Sequence, residues 1–566
     1  MISETGGTVR PDWRRFAFPL FLLALCGALY FWRLGITPLE DFDEAYYAEG
    51  AREMLGRHDL LTPYFNGQPF LLKPVLIYWI IAAAFRFLIQ SEFAARAASA
   101  FLATGLVLLV YWFGTRTLSR RTGFFAGLAL ALSYMWIDIG RDASIDVPLA
   151  AAVVPAIFLF YLGTQASPRR KRWLYLPAYP LFGIALLAKG PVPLGVVACG
   201  LLAYLLAARR LRSTLREAYP LPGIALCLAV AAPWYAYELI HERAFFSTFF
   251  IGEHFGHIRG QLARTEPVWG NLYYLLVYFF PWVAFLPAAY LHTFRQQDRG
   301  HVLRLCAWWS AAVIVLFSVP QSKLAHYLAP AFPPMALMVG AWVDAWLQRR
   351  TTDRALTAAG IGLLAAAGLV CTAAAVVAIV PPASLQARLI EMYGTWTPGY
   401  SLAAMLGAIG LASLTGAVAA RLRRSLVVPV LCLGMIVAGF SFVGWFNPRK
   451  AQIQSQPRKE LAQSLSGLIP DSTPVGVYYA KRNSTIFYLG RPIVDLGERQ
   501  DEFPGVVSFL SSPAPAVAFT HRKFVPAIEQ SLKSNGAAGS GSLYLWQERG
   551  DFVIVSNRPL SHRRRS

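Results

Sequence analysis

The chain has 566 residues, 56% of them hydrophobic and 15% charged, with a mean hydropathy of +0.44. These values exclude a string of soluble domains, because apolar runs of membrane-crossing length recur along the sequence. A formal net charge of +21 does not describe a nucleic-acid surface here, since the basic residues fall in short clusters between apolar runs, the pattern of cytoplasmic loops.

The first apolar run covers about 16–34 and follows Arg10, Arg14 and Arg15, which hold the N-terminus in the cytoplasm. No small-residue cleavage pattern follows, so the run reads as a retained helix. DFDEAYYAEG (41–50) then lies outside, with three carboxylates, Asp41, Asp43 and Glu44, in four residues. A cap for a helix starting near Ala45 needs one acid, not three.

Apolar runs follow at 74–90, 95–114 and 123–140. If all three crossed, the basic loop RTLSRR (116–121) would be stranded outside. The 74–90 run is the shortest, opens with Pro74 and carries Arg86, so it is expected to lie at the outer interface. The same rule places PRRKR (168–172), ARRLRSTLR (208–216), HTFRQQDRGHVLR (292–304), QRRTTDR (348–354) and RLRR (421–424) inside. GRDASIDVP (140–148), KGP (189–191), HERAFFSTFFIGEHFGH (241–257), PQSKLAHY (320–327) and 381–400 fall outside. The length rule counts about 13 spans, which puts the C-terminus outside. The six cysteines lie in or beside apolar segments without ligand-like spacing, and imply neither a disulfide framework nor a metal site.

Beyond Asn447 the composition turns polar. The β-rich runs VGVYYA (475–480), TIFYL (485–489), AVAFTH (516–521), SLYLW (542–546) and DFVIVSN (551–557) are separated by Gly, Pro and Ser clusters. The expected organisation is a transmembrane domain over 1–446 and a small α/β domain on the outer side over 447–566. The terminal RRR (563–565) reads as a solvated tail.

Ionisable residues gather in the outer loops: Asp41, Asp43, Glu44, Lys73, Arg141, Asp142, Asp146, Lys189, Glu253, His254, His257, Lys323 and His326, with Tyr327 beside them. Taken singly, each has a plain structural explanation. Lys189 or Lys323 can snorkel at a helix end. Of Asp142 and Asp146, one can cap the next span while the other pairs with Arg141. A lone histidine such as His254 is more often a hydrogen-bonded structural residue than a ligand. Taken together, they suit transfer from a phosphate-activated donor: a carboxylate deprotonates or orients an acceptor hydroxyl while Lys, Arg or a metal ion neutralises the departing phosphate. The donor must be lipid-linked, because nucleotide sugars are cytoplasmic and these residues lie outside. A transporter or flippase would share the many spans, but it predicts charges near mid-span and internal pseudo-symmetry. A scaffold protein working through its C-terminal domain would tolerate replacement of DFDEAYYAEG and RDASIDVPL.

The segments DFDEAYYAEGAREM, FNGQPFLLKP (65–74), SEFAARAASA (91–100), RDASIDVPL (141–149), LLAKGPVPL (186–194), GEHFGH (252–257) and SKLAHYLAPAFPP (322–334) resemble the polyprenyl-phosphate-sugar-dependent glycosyltransferases of the C-type membrane fold. That family includes the protein O-mannosyltransferases and the bacterial aminoarabinose transferases of lipid A. The likeness covers about the first 340 residues, with the motifs in family order. It implies an all-α polytopic membrane protein with juxtamembrane helices in the first outer loop and a small periplasmic α/β domain, set in the bacterial inner membrane.

By the same resemblance, Asp43 is the catalytic base or acceptor-orienting residue, Glu44 its partner and Asp146 the second acidic position. Lys73 is the lysine expected on the polyprenyl phosphate, with Lys189, Tyr327 and Arg52 also assigned to the donor phosphate. In the aminoarabinose transferase pattern a glutamate before the lysine joins a histidine of the long outer loop to hold a metal ion. Here that position is Leu72, so His254 lacks its partner; no cofactor is assigned, and a divalent metal ion at His254 stays open. The implied reaction passes a sugar from undecaprenyl phosphate, with inversion, to lipid A, another envelope lipid or a protein.

Overall fold

A backbone amide in hydrocarbon has no water to bond, so apolar runs of this kind must close their hydrogen bonds internally as helices. The structure, a computed structural model, describes residues 14–559 apart from 42, 256–265, 297–299, 352–353, 385, 388–398, 467, 481 and 535–542. Arg10, His257, much of the 381–400 loop and the terminal RRR lie outside the described residues, as does the side chain of His254.

Helix α1 (Arg14–Cys26) comes first, and α2 (Asp43–Arg57) and α3 (Leu76–Phe87) build the long connection that follows it. Then come α4 (Glu92–Thr117), α5 (Arg120–Ala131), α6 (Tyr134–Ile139), α7 (Asp146–Gln165), α8 (Pro168–Lys189) and α9 (Val192–Ala207). Serines start two of them: Ser91 accepts from the Ala94 amide and Ser119 from the Thr122 amide, each satisfying an orphan donor of the first turn. With 26 residues, α4 rises about 39 Å, more than a bilayer core requires.

Among the described residues, eight helices are long and apolar enough to cross a membrane, or nine if the pair Gly270–Tyr278 and Trp282–Arg295, bent by 111°, is one span. That is fewer than the expected thirteen or so, for reasons visible in the helices themselves. The 123–140 run breaks between α5 and α6, α8 opens with Arg169, Arg170, Lys171 and Arg172, and Phe16–Phe31 and Leu194–Ala207 are short. The 74–90 run forms a helix too short to cross a bilayer core. Its 12 helical residues rise only about 18 Å, and Tyr78, Ile81 and Phe85 pack inward.

The outer loops carry a core of their own, separate from the membrane core, in which Tyr47, Ala48, Met54, Tyr78, Ile81 and Trp234 pack together. A tight hairpin, β1 (Tyr64–Phe65) against β2 (Gln68–Pro69), braces α2. Its turn residues Asn66 (φ 53°) and Gly67 (φ 80°) both sit in the left-handed region, which explains the Asn-Gly pair.

At the C-terminus β3 (Val475–Tyr478), β4 (Val494–Asp495), β5 (Val517–His521), β6 (Tyr544–Arg549) and β7 (Phe552–Ser556) form one sheet in the order β4-β3-β5-β7-β6. β3 is parallel to both its neighbours, and β7 pairs antiparallel with β5 and β6. One expected strand is not a strand: TIFYL (485–489) lies in the helix Arg482–Leu489, the crossover between β3 and β4. Parallel neighbours need such a crossover. Ile486 and Leu489, three residues apart, face the sheet core, while Phe487 packs on the outer-loop core. Helical spacing here overrides β-prone composition. The division placed at 447 also falls inside a helical run that continues to Gln454.

Within the membrane core, α5 and the helix Phe332–Leu347 approach at Gly340, where a Cβ would stand 2.6 Å from the Ala126 nitrogen and 2.7 Å from the Thr122 carbonyl. Asp344 strengthens this contact by accepting from the hydroxyls of Ser119 (2.9 Å) and Thr122 (3.2 Å). Gly340→Val should therefore cost about 1–3 kcal/mol or more of stability, read as a lowered melting temperature in detergent. Unchanged melting would mean that the two helices do not pack as described.

Candidate active site

Successive residues of a helix point about 100° apart, so the clustered acids at the start of α2 cannot share one environment. The Asp41 carboxylate accepts from the backbone and hydroxyl of Ser484, both at 2.8 Å. Glu44 turns inward to Arg96 of α4, with contacts of 2.6 Å from Nε and 2.5 Å from a terminal nitrogen. The same carboxylate accepts from the amides of Glu40 (2.8 Å) and Ala143 (3.0 Å). Four donors fill its lone-pair sites. Asp43, between them, faces Tyr47, whose hydroxyl is 3.5 Å away.

Asp43 belongs to a cluster of groups from five parts of the chain. Lys73, His326 and Tyr327 all lie within electrostatic reach of both Asp43 and Asp146. Asp146, at the start of α7, meets Lys189 Nζ at 2.6 Å and stands 3.8 Å from His326 Nε2. Lys189 is the last residue of α8, which Gly190 ends at φ 69° in the way glycine commonly stops helices. Its ammonium lies 4.5 Å from the centre of the Tyr327 ring. Lys73 pairs with Glu253 of the long outer loop. Lys73, Lys189 and Tyr327 line one cavity of about 280 Å³, walled by Leu72, Phe249 and Phe317. A second cavity, about 740 Å³, lies against Glu44 and Arg96 and is lined by Glu40, Asp41, Asp138, Asp142, Lys450 and Arg458 among others.

The local fields follow from burial and neighbours. Burial pushes the Lys73 ammonium down to about 8; Asp43 and Asp146 pull it back up, while Lys189 adds to the depression. Burial and the Asp43 carboxylate push the Tyr47 hydroxyl well up, so it remains a donor. Burial and the adjacent Glu44 push Asp142 up, whereas Arg96 outweighs burial and holds Glu44 low. Glu44 is thus the ionised member of that pair.

Of the residues expected at the site, Asp43, Asp146, Lys73, Lys189 and Tyr327 converge. Two do not. Arg52 lies nine residues beyond Asp43, so it points half a turn away; it pairs with Glu49 (2.5 Å) and donates to the Phe487 carbonyl (3.0 Å) in the C-terminal unit. Glu44 is committed to Arg96 and two amides, which removes it from contact with a substrate. Lys323 likewise stays outside the cluster, donating to the carbonyls of Glu266 and Pro320.

Three partners lacked an assigned role: Arg96, Glu253 and His326. A signal for Arg96 was present in SEFAARAASA, since a guanidinium in an apolar helix is costly unless paired. Leu72 supplies no donor atom for a metal ion, and among the described residues no three His, Cys, Asp or Glu side chains converge as a metal set. Arg96→Ala, which strands Glu44, should destabilise the protein by about 3–5 kcal/mol, whereas Glu44→Gln with Arg96→Met should recover part of that loss. Denaturant or thermal melting of the purified variants measures this; a silent Arg96→Ala would show that the pair is not buried as described.

The sequence and fold have known counterparts. Residues 72–237 match the family model described as dolichyl-phosphate-mannose-protein mannosyltransferase. The undecaprenyl phosphate-alpha-4-amino-4-deoxy-L-arabinose arabinosyl transferase of Aeromonas salmonicida is 28% identical over 530 residues, 92% of each chain. Its namesake from Edwardsiella ictaluri is 31% identical over 337 residues, 57% of this chain and 59% of that one. In fold, the chain is similar to ArnT from Cupriavidus metallidurans bound to undecaprenyl phosphate, with a TM-score of 0.77 at 21% identity over 96% of this chain and 98% of that one. It is also similar to the Archaeoglobus fulgidus oligosaccharyltransferase tethered to an acceptor peptide, with a TM-score of 0.52 at 12% identity over 97% and 74%. With its helical membrane core, juxtamembrane helices and C-terminal sheet, the chain shares the fold of ArnT, and its sequence is similar to the aminoarabinose transferases along nearly its whole length and to the protein mannosyltransferase family over 72–237.

Proposed function

We propose that the protein transfers a sugar from undecaprenyl phosphate to an acceptor at the periplasmic face of the bacterial inner membrane. The observation that carries this reading is the cavity in which Lys73, Lys189 and Tyr327 stand among apolar walls with Asp43 and Asp146 in reach. Apolar walls suit a polyprenyl chain, and two ammonium groups suit its phosphate. At 4 Å and an effective dielectric of 20, each cation–phosphate contact is worth about 4 kcal/mol. The names of the relatives support the same carrier. The basic clusters of the inner loops support a cytoplasmic N-terminus and a periplasmic C-terminal domain. The Aeromonas and Edwardsiella relatives and the Archaeoglobus neighbour are transferases by name, which leaves the transporter alternative without support.

In this reading the acceptor approaches through the larger cavity, and its oxygen attacks the anomeric carbon opposite the phosphate. The carbon–oxygen bond to the phosphate breaks, and the polyprenyl phosphate leaves with inversion at that carbon. Lys73 and Lys189 neutralise the leaving phosphate. Asp146 orients Lys189 through their 2.6 Å contact. If the acceptor is a hydroxyl, its proton passes to Asp43; if it is a lipid A phosphate, Asp43 orients it.

Asp43→Asn should lower turnover about 10²- to 10⁴-fold, the usual worth of a general base, while donor binding persists. The assay uses purified protein, radiolabelled undecaprenyl-phosphate sugars and extracted envelope lipids and proteins. Near-wild-type turnover would remove Asp43 from the mechanism.

The depressed Lys73 titration has a sign. An ammonium lowered to about 8 destabilises the fold while charged: its stability contribution is fully present above the ordinary lysine value near 10.4 and is lost as pH falls through about 8. Phosphate binding needs the charged form, so undecaprenyl-phosphate affinity should weaken as pH rises through about 8. Lys73→Arg should flatten that dependence. A wild-type profile flat between pH 7 and 9 would oppose it.

A further inference from the structure

The chain leading into Asp43 is gripped by the helix Arg482–Leu489 of the C-terminal unit. Ser484 gives both its amide and its hydroxyl to Asp41 Oδ1 at 2.8 Å, and Asn483 donates to the Asp41 carbonyl at 2.6 Å. Two residues earlier the Leu39 amide donates to the Tyr488 hydroxyl at 2.7 Å, and that hydroxyl donates to Glu92 of α4 at 3.0 Å. Asp41, Asn483 and Ser484 are all buried. Burying a carboxylate costs several kcal/mol unless donors satisfy it, so this contact holds a defined geometry. On the other side of Asp43, Arg96 holds Glu44 and the Ala45 amide bonds the Glu40 carbonyl at 3.0 Å. Asp43 is thereby suspended between two clamps, two residues from one and one residue from the other.

We propose that Ser484 and Asn483 are positioning residues for sugar transfer, acting through Asp41 to hold Asp43 over the donor cavity. The proposal rests on Asp43 acting at the reacting atoms, as argued above, and it adds that the C-terminal unit completes the catalytic geometry. So short a tether, fixed at both ends, transmits a shift of Asp41 directly to Asp43. Displacement of a catalytic group by about 1 Å can cost about 100-fold in rate.

The test uses the full chain with Ser484→Ala, Ser484→Thr, Asn483→Ala and Asp41→Asn. Ser484→Ala and Asp41→Asn should lower kcat about 10- to 100-fold with the donor KM within about twofold and undecaprenyl-phosphate binding retained. Ser484→Thr, which keeps both donors, should restore kcat. In parallel, backbone hydrogen exchange over residues 39–45 should quicken about tenfold or more in Ser484→Ala and stay near wild type in Ser484→Thr.

Wild-type kcat in both loss variants, or a fall matched by equal loss of donor binding, would overturn the proposal. So would Ser484→Thr behaving like Ser484→Ala, or unchanged exchange. If Ser484→Ala does not fold, Asn483→Ala, which removes only the carbonyl bond, carries the same two measurements. Exchange does not need a turning-over enzyme. A wild-type protein that transfers none of the sugars would therefore defeat the transfer reading, while unchanged exchange would defeat the positioning role.

Discussion

The buried pair between Glu44 and Arg96 is the constraint on which the outer face depends. It joins the first outer loop to α4, and Arg96 also donates to the carbonyls of Leu34, Thr37 and Pro38. One side chain thus ties down the backbone between α1 and α2. Buried ion pairs add little net stability, because desolvation offsets attraction, but breaking one is severe. Its value here is geometric: with Glu44 fixed, the adjacent Asp43 is aimed by the 100° step of the helix toward the lysines.

Two cavities flank the candidate site, and the larger is lined by Glu44 and Arg96 themselves. The smaller carries Lys73 and Lys189 among apolar walls, and the larger, which abuts the C-terminal unit, mixes carboxylates with Arg96, Arg141, Lys450 and Arg458. Asp43 and Asp146 lie within electrostatic reach of Lys73 beside the smaller one. Association of Asp146 with Lys189 and of Lys73 with Glu253 keeps those charges paired at the membrane edge, where unpaired ones are costly.

The contrast between the three acids explains where reading the sequence succeeds and where it stops. Their excess over what a helix cap requires marks DFDEAYYAEG as a candidate site. The sequence could not say which acid does what, because the partners Arg96 and Ser484 lie 52 and 443 residues away from theirs. Arg52 is near Asp43 in sequence but half a turn away on the helix, where it pairs with Glu49 instead of joining the cluster. TIFYL has the β-branched and aromatic composition of a strand, yet the crossover between parallel β3 and β4 makes it a helix.

What the sequence determined by itself was class: apolar runs long enough for hydrocarbon, charged clusters confined to the connections between them, and motifs similar to those of a glycosyltransferase superfamily. These properties are local, set by length and by the cost of charge in a bilayer. Tertiary structure alone decided that Asp43, Asp146, Lys73, Lys189 and Tyr327 face one another, that Glu44 serves Arg96, and that the C-terminal unit grips Asp41. Those outcomes depend on contacts between distant segments, and a distance in space is not encoded by the spacing of residues along the chain.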